Sequence, residues 1–162
     1  MIIVINNFFT EEQCSFWRKY CNYACNNDTL EVMLKKKGKT IEKVNRNYYT
    51  LRSEYTFMRE IKDLVEKNWK IKVNYQKNIY GHIMHYKNKG QGLEWHAEPN
   101  ISTVSTSINI SPPWDYKGAD LQFKNEKVEI PYKALVMYDS SIMHRVTDLK
   151  EGQKKSIVMW LK

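Results

Sequence analysis

In "EWHAEPN", residues 94–100, an imidazole and a carboxylate stand two positions apart, His96 and Glu98. Side chains two apart on an extended segment share a face, so both would project together. One imidazole and one carboxylate are two thirds of a 2-His-1-carboxylate set. That set grips a metal such as Fe(II) from one side and leaves adjacent coordination positions open. The chain holds four histidines. "SSIMHRV" supplies a second one for the set: His144, flanked by apolar residues as a strand histidine would be. His96, Glu98 and His144 are therefore the candidate metal ligands. An H-x-E pair alone is a weak signal, since core packing explains most such pairs.

The elements that must position these residues follow from periodicity and punctuation. "IIVI" at 2–5 is a short β-branched strand. Thr10 and Gln13 form a capping box, which opens a helix from about Glu11 to Cys25. Residues 30–53 mix short strand-like pieces with Lys-rich turns, and "KKKGK" at 35–39 reads as a turn or loop. A second helix fits 53–69, with Phe57, Ile61 and Val65 on one stripe. From about residue 71 the pattern becomes alternating and β-rich: "NIYGHIMHY", "STVSTSINI", "ADLQF", "VEI", "ALVMY" and "SIVMWL". Helices first and short strands after point to an α+β chain whose second half is a sandwich or barrel of antiparallel strands.

Bulk properties narrow the class. The chain has 162 residues, 42% hydrophobic and 27% charged, which suits one globular domain with one core. The expected division is residues 1–70 as mainly helical support and a candidate lid, and 71–162 as the barrel core. The net charge of +8 leaves nucleic acid open as a partner. The Lys run is short and interrupted by Gly38, unlike a nucleic-acid stripe. Cys14, Cys21 and Cys25 fall in one helix and form no even framework, so they read as buried reduced thiols of a cytoplasmic protein. The N-terminus lacks the pattern of a signal peptide, and no apolar run reaches membrane-spanning length.

The ordered set Tyr86, Gly90, His96, Glu98, Asn109, Gly118, Leu121, Phe123, His144, Val146, Gly152, Lys154, Ser156 and Trp160 resembles the prolyl 4-hydroxylase-like branch of the 2-oxoglutarate and Fe(II)-dependent dioxygenases. The resemblance covers nearly the whole chain. It implies a double-stranded β-helix, a jelly-roll or cupin-like barrel, supported by the N-terminal helices. It also implies Fe(II) on His96, Glu98 and His144, with 2-oxoglutarate and O2 as cosubstrates and ascorbate as a candidate reductant. Glu98 departs from the aspartate usual in the family, adding a methylene to a ligand of the same charge.

Within the resemblance, Lys154 would bind the far carboxylate of 2-oxoglutarate, with Tyr86 donating a phenolic hydrogen bond and Ser156 helping from the same face. Lys155 would point the opposite way. His82 shares a strand face with Tyr86 and is a candidate for lining the pocket. Asn109 is another, although support of the barrel backbone suits it better. Tyr48, Arg52 and Trp114 are candidate substrate contacts.

The reaction so implied is hydroxylation of an unactivated C–H bond, first of all in a prolyl residue of a peptide or protein. Alternatives of the same fold act on a free amino acid, another small molecule or nucleic acid. Nucleic acid is disfavoured, because Lys154 and Trp160 occupy the places of the paired arginines typical of that branch. From other classes, a non-catalytic β-barrel binding module and a zinc hydrolase using the same ligands remain.

Overall fold

Polar residues on one face of deeply buried strands decide how this molecule is built. The computed structural model describes residues 1–24, 29–37 and 40–162, and the side chains of all but residues 24–45. A short strand β1 (Ile2–Ile5) leads into helix α1 (Glu11–Ala24). The hairpin β2 (Thr29–Lys37) and β3 (Thr40–Leu51) precedes helix α2 (Thr56–Trp69). Then come β4 (Gly81–Tyr86), β5 (Leu93–His96), β6 (Val104–Asn109), a 3-10 turn (Pro113–Asp115), β7 (Tyr116–Gly118) and β8 (Leu121–Phe123). β9 (Leu135–Asp139), β10 (His144–Val146), β11 (Leu149–Gly152) and β12 (Lys154–Leu161) follow.

Seven strands form one sheet in the order β1-β9-β6-β12-β4-β3-β2, and β5-β10-β8 form a smaller one. β11 and β7 pair separately. All the recorded strand pairs are antiparallel. This is the antiparallel double-stranded β-helix expected of the chain.

The pleat sorts each central strand into two sets. On β12, Ile157, Met159 and Leu161 join the large core that also holds Phe9, Trp17, Phe57, Met58, Ile61 and Val65 from the helical side. Register places Ile83 and Ile108 level with Ile157 on the neighbouring strands. The alternate residues Lys154, Ser156, Val158 and Trp160 therefore face the barrel interior, as do Met84 and Tyr86 on β4 and Ser105, Ser107 and Asn109 on β6. Helices cover one face of the large sheet, so strands with polar residues on the other face stay buried.

The helices form for the reasons their sequences give. Thr10 N–H donates to Gln13 Oε1 at 2.8 Å and Gln13 N–H to Thr10 Oγ1 at 3.2 Å, a complete capping box. On α2, Phe57, Met58, Ile61 and Val65 are buried, the spacing of one helical face. Left-handed Lys70 ends it. Cys14 and Cys21 are buried on α1 outside any disulfide, and burial pushes the Cys14 thiol up to about 11. Cys25 lies outside the described residues.

Three sequence expectations differ from the structure. Residues 30–53 do not break into short pieces: β2 and β3 are strands of 9 and 12 residues. Lys35–Lys37 belong to β2 rather than a turn, while Gly38 and Lys39 lie outside the described residues. A long regular hairpin carries this polar sequence because cross-strand pairing, with nine registered pairs from Thr29–Tyr48 to Lys37–Thr40, outweighs local composition. The first 70 residues consequently supply strands to the large sheet as well as helices. Finally, "VEI" at 128–130 forms no strand. Val128 and Ile130 instead pack against the interior cluster of Phe123, Val136 and Tyr138, so burial rather than pairing explains their apolar character. Among the described residues, no helix is long and apolar enough to cross a membrane.

Candidate metal centre and adjoining pocket

Strand pairing brings the two histidines together. His96 ends β5, His144 begins β10, and the two are direct cross-strand partners. Their ring centroids are 4.1 Å apart. Each is fixed by its own backbone neighbourhood: His96 Nδ1 faces the Glu94 carbonyl at 2.7 Å, and His144 Nδ1 the Ile142 carbonyl at 2.8 Å. A carbonyl can only accept, so both Nδ1 atoms carry the proton and both Nε2 atoms present a lone pair.

Glu98 completes the group from just beyond β5. Its N–H donates to the Ser140 carbonyl at 2.7 Å, which ties it to the turn that precedes His144. Its carboxylate oxygens lie 3.6 Å from His96 Nε2 and 4.0 Å from His144 Nε2. One donor atom from each of the three residues falls within 4.8 Å of the other two. His96 Nε2 is buried and makes no hydrogen bond. A buried lone pair without a donor is costly, and a metal ion among the three donors would satisfy it. The donor set fits a hard or borderline divalent ion.

The electrostatics agree with a cation-binding role. Burial works against the Glu98 charge, but the adjoining His96 imidazole, the Trp160 indole N–H and nearby His144 more than offset it and hold the carboxyl at about 2. Burial, with His96 and Arg46 nearby, keeps His144 neutral by lowering it to about 4. Trp160 Nε1–H donates to Glu98 Oε2 at 2.8 Å and the Ser105 hydroxyl to the same oxygen at 3.3 Å.

The donors sit in a narrow interior pocket that also takes in Arg46, Tyr86, Lys154, Ser156 and Tyr138. Tyr86, Lys154 and Ser156 are brought to one wall by register, Lys154 opposite Tyr86 and Ser156 opposite Met84. Lys154 is buried, donates to the Ala119 carbonyl at 2.5 Å and lies 5.2 Å from the centre of the Tyr116 ring. Burial, partly offset by Asp120, lowers it to about 8. Lys155 points to the helical side and reaches Asn22 Oδ1 at 2.6 Å. At Lys154, Ser156, Ser107 and Leu121 the narrow pocket meets a cavity of about 1100 Å³ that runs out beneath residues 122–130.

Not every sequence candidate lies in this pocket. Asn109 lines the larger cavity and is also structural: its amide donates to Tyr116 Oη at 3.1 Å and its oxygen accepts from Ser111 N–H at 3.2 Å. His82 stands behind the pocket wall, edge-on to Trp160 at 5.0 Å and stacked on Tyr48 at 4.8 Å. Tyr48 thus packs against His82 and lines neither cavity. Arg52 is exposed at the entry to α2. Trp114 is 78% exposed on the 3-10 turn, near Tyr132, and it too lines neither cavity.

Sequence reasoning missed Arg46, Tyr138 and the Glu98 contacts of Trp160 and Ser105. Strand parity holds part of that signal. Trp160 is in phase with Lys154 and Ser156, and register sets Ser105 opposite Trp160 and Tyr138 opposite Ser105.

No family model matches the chain. Solved structures resemble it along almost its full length. A viral collagen prolyl hydroxylase from Paramecium Bursaria Chlorella virus-1, solved with 2-oxoglutarate, superposes with a TM-score of 0.72 at 12% identity, covering 99% of this chain and 94% of that one. A Pseudomonas putida prolyl-4-hydroxylase gives 0.73 at 12% identity over 99% and 91%. The fold is that of the 2-oxoglutarate/Fe(II) oxygenases. An α-ketoglutarate-dependent epimerase from nogalamycin biosynthesis also shares it, at 0.73 with 8% identity, over 99% of this chain and 77% of that one. In sequence, this oxygenase-fold chain is similar to PKHD-type hydroxylases. It is 36% identical to one from Hyphomonas neptunium over 62 residues, 36% of this chain and 28% of that protein. It is 31% identical to one from Shewanella frigidimarina over 64 residues, 37% of this chain and 28% of that protein. The matches thus span little more than a quarter of the length of either relative.

Proposed function

We propose that the chain is a 2-oxoglutarate- and Fe(II)-dependent oxygenase that hydroxylates an unactivated C–H bond. The observation that carries this reading is the buried, unsatisfied Nε2 of His96 facing Glu98 beside His144, on the wall of a pocket that also contains a buried lysine. Fe(II) held by His96, Glu98 and His144 would supply, with 2-oxoglutarate and dioxygen, the oxidising power for C–H hydroxylation.

Each residue then has a task that its own chemistry supports. The Nδ1–H bonds to backbone carbonyls hold both imidazoles in the ligating tautomer. Lys154 takes the far carboxylate of 2-oxoglutarate, which gives the buried ammonium an anionic partner. Tyr86, level with it on β4, and Ser156, two residues on along β12 on the same face, add neutral hydrogen bonds. The meeting of the narrow pocket with the larger cavity at Lys154 and Ser156 gives the cosubstrate room between the metal ligands and the lysine. Arg46 and Tyr138 line the remaining wall, where a substrate's polar groups would be held.

A peptide or protein substrate is favoured over nucleic acid. The structural relatives include a Trichoplax adhaerens prolyl hydroxylase bound to a peptide fragment, with a TM-score of 0.72 at 13% identity over 99% of this chain and 82% of that one. A prolyl residue is the first substrate to test. Oxygen consumption coupled to succinate release from 2-oxoglutarate tests the reaction class. Both are expected with Fe(II) and lost in His96→Ala. Turnover that runs on Zn(II) without oxygen would instead make the chain a hydrolase.

A further inference from the structure

The Glu98 carboxylate is held more firmly by one oxygen than by the other. Oε2 receives the Trp160 indole N–H at 2.8 Å and the Ser105 hydroxyl at 3.3 Å. Among the described residues Oε1 carries no such donor and faces His96 Nε2 at 3.6 Å, while Oε2 lies 4.0 Å from His144 Nε2. The two donors to Oε2 come from directly paired positions on neighbouring strands, Trp160 of β12 and Ser105 of β6. An indole N–H can only donate, and here it spends that donor on the carboxylate.

The donors are themselves fixed. Ser105 Oγ lies 2.8 Å from Ser140 Oγ, which lies 2.7 Å from Ser102 Oγ, and all three serines are buried. Each hydroxyl both donates and accepts, so the chain of three sets the direction in which Ser105 points. Ser140 also accepts the Glu98 backbone N–H through its carbonyl at 2.7 Å. Trp160 is braced from behind by His82, edge-on at 5.0 Å, which is stacked on Tyr48 at 4.8 Å.

We infer that Trp160 and Ser105 are positioning residues that hold Glu98 by Oε2, so that it meets the metal through Oε1 alone. The inference rests on the metal-centre reading above. A free glutamate has three side-chain torsions to lose on binding an ion, and the two donors remove that freedom before the ion arrives. They also occupy the oxygen that would otherwise chelate. An aspartate would set its carboxylate one methylene short of the indole N–H that now reaches Oε2, so the length of glutamate and the placing of Trp160 belong to one design.

Titration of Fe(II), and separately of Co(II), into the anaerobic protein tests this without recourse to turnover. Trp160→Phe keeps an aromatic ring against His82 and removes the donor. It is expected to weaken metal binding by about 10- to 100-fold, as loss of an outer hydrogen bond to a ligand commonly does, and to shift the ligand-field absorption of bound Co(II). Ser105→Ala leaves the aromatic packing untouched and is expected to act in the same direction by a smaller factor, which keeps the test decisive if the tryptophan variant misfolds. In a Glu98→Asp background, Trp160→Phe is expected to change affinity less than about threefold, because the contact is already lost. Wild-type affinity and spectrum in both single variants would overturn the inference alone. So would an equal loss from Trp160→Phe in both backgrounds, which would mark packing only. A wild-type protein that binds neither ion would overturn the metal-centre reading along with it.

Discussion

Replacing Lys154 with methionine should make the ligand-free protein more stable and the cosubstrate weaker to bind. The ammonium is buried on β12 with the Ala119 carbonyl as its recorded hydrogen-bond acceptor. Burial lowers it from 10.5 to about 8, which is about 3 kcal/mol set against the charged form. Methionine keeps the length of the stem and removes the charge, so the ligand-free variant should match the wild type or exceed it by up to about 3 kcal/mol. In a chain of this size that corresponds to a rise of no more than about 6–12 °C in melting temperature.

The sign with pH follows from a folded value below the unfolded one. Between pH 8 and 10.5 the unfolded chain binds the extra proton, so wild-type stability rises through that window and the variant's advantage fades. Binding of 2-oxoglutarate responds in the opposite sense. Loss of a charge-assisted contact costs about 1.5–3 kcal/mol, so the dissociation constant should rise about 10- to 100-fold. In the wild type, affinity should be flat below pH 8 and fall about tenfold per unit above it, as the lysine loses its proton. Calorimetric titration of 2-oxoglutarate into the anaerobic Fe(II) protein, with thermal melts from pH 7 to 10, measures both. Undiminished affinity in Lys154→Met, or a variant several kcal/mol less stable, would refute the assignment of this lysine to an anion.

Further outcomes follow from the packing. Gly152 has φ +70°, and a Cβ there would lie 1.9 Å from the Asp115 carbonyl oxygen. Gly152→Ala should cost at least about 1–3 kcal/mol in denaturant melts, the ordinary cost of such a backbone strain; a neutral result would mean the turn into β12 can relax. Ile61 is fully buried between α2 and the sheet, and Ile61→Ala should cost about 2–5 kcal/mol without changing the metal dissociation constant. Arg46→Met should lower kcat/KM for the substrate while leaving 2-oxoglutarate affinity within about threefold, since the guanidinium lines the pocket from β3, near His144, whereas Lys154 offers the cosubstrate its cation from β12. An equal loss of cosubstrate affinity would move Arg46 to the 2-oxoglutarate end.

How much of this was legible in the sequence depended on whether the cause was local. The capping box at Thr10 and Gln13 and the α2 stripe of Phe57, Ile61 and Val65 follow from neighbours a few residues away, and both are present. The meeting of His96 with His144 could be proposed from residue types and order, with His144 flanked by the apolar Ile142, Met143 and Val146. The hairpin β2–β3 was obscured because its stability lies in cross-strand pairs rather than composition. Arg46 was obscured for the same reason, as its place in the pocket depends on that hairpin pairing with β4. Trp160 was visible as a residue but its bond to Glu98 was not, since 62 positions separate the two. His82 read as a pocket residue by face alone; parity gives the face, while stacking on Tyr48 and against Trp160 decides whether the side chain reaches the cavity.

The central claim is that His96, Glu98 and His144 together hold Fe(II) with 2-oxoglutarate beside it. Anaerobic addition of Fe(II) and 2-oxoglutarate to the protein tests it most directly. A weak visible charge-transfer absorption should appear in the wild type, require both additions, and vanish in His144→Ala while the variant keeps the wild-type far-UV circular dichroism. A folded wild-type protein that shows no such band, or a band that persists undiminished in His144→Ala, would contradict the account.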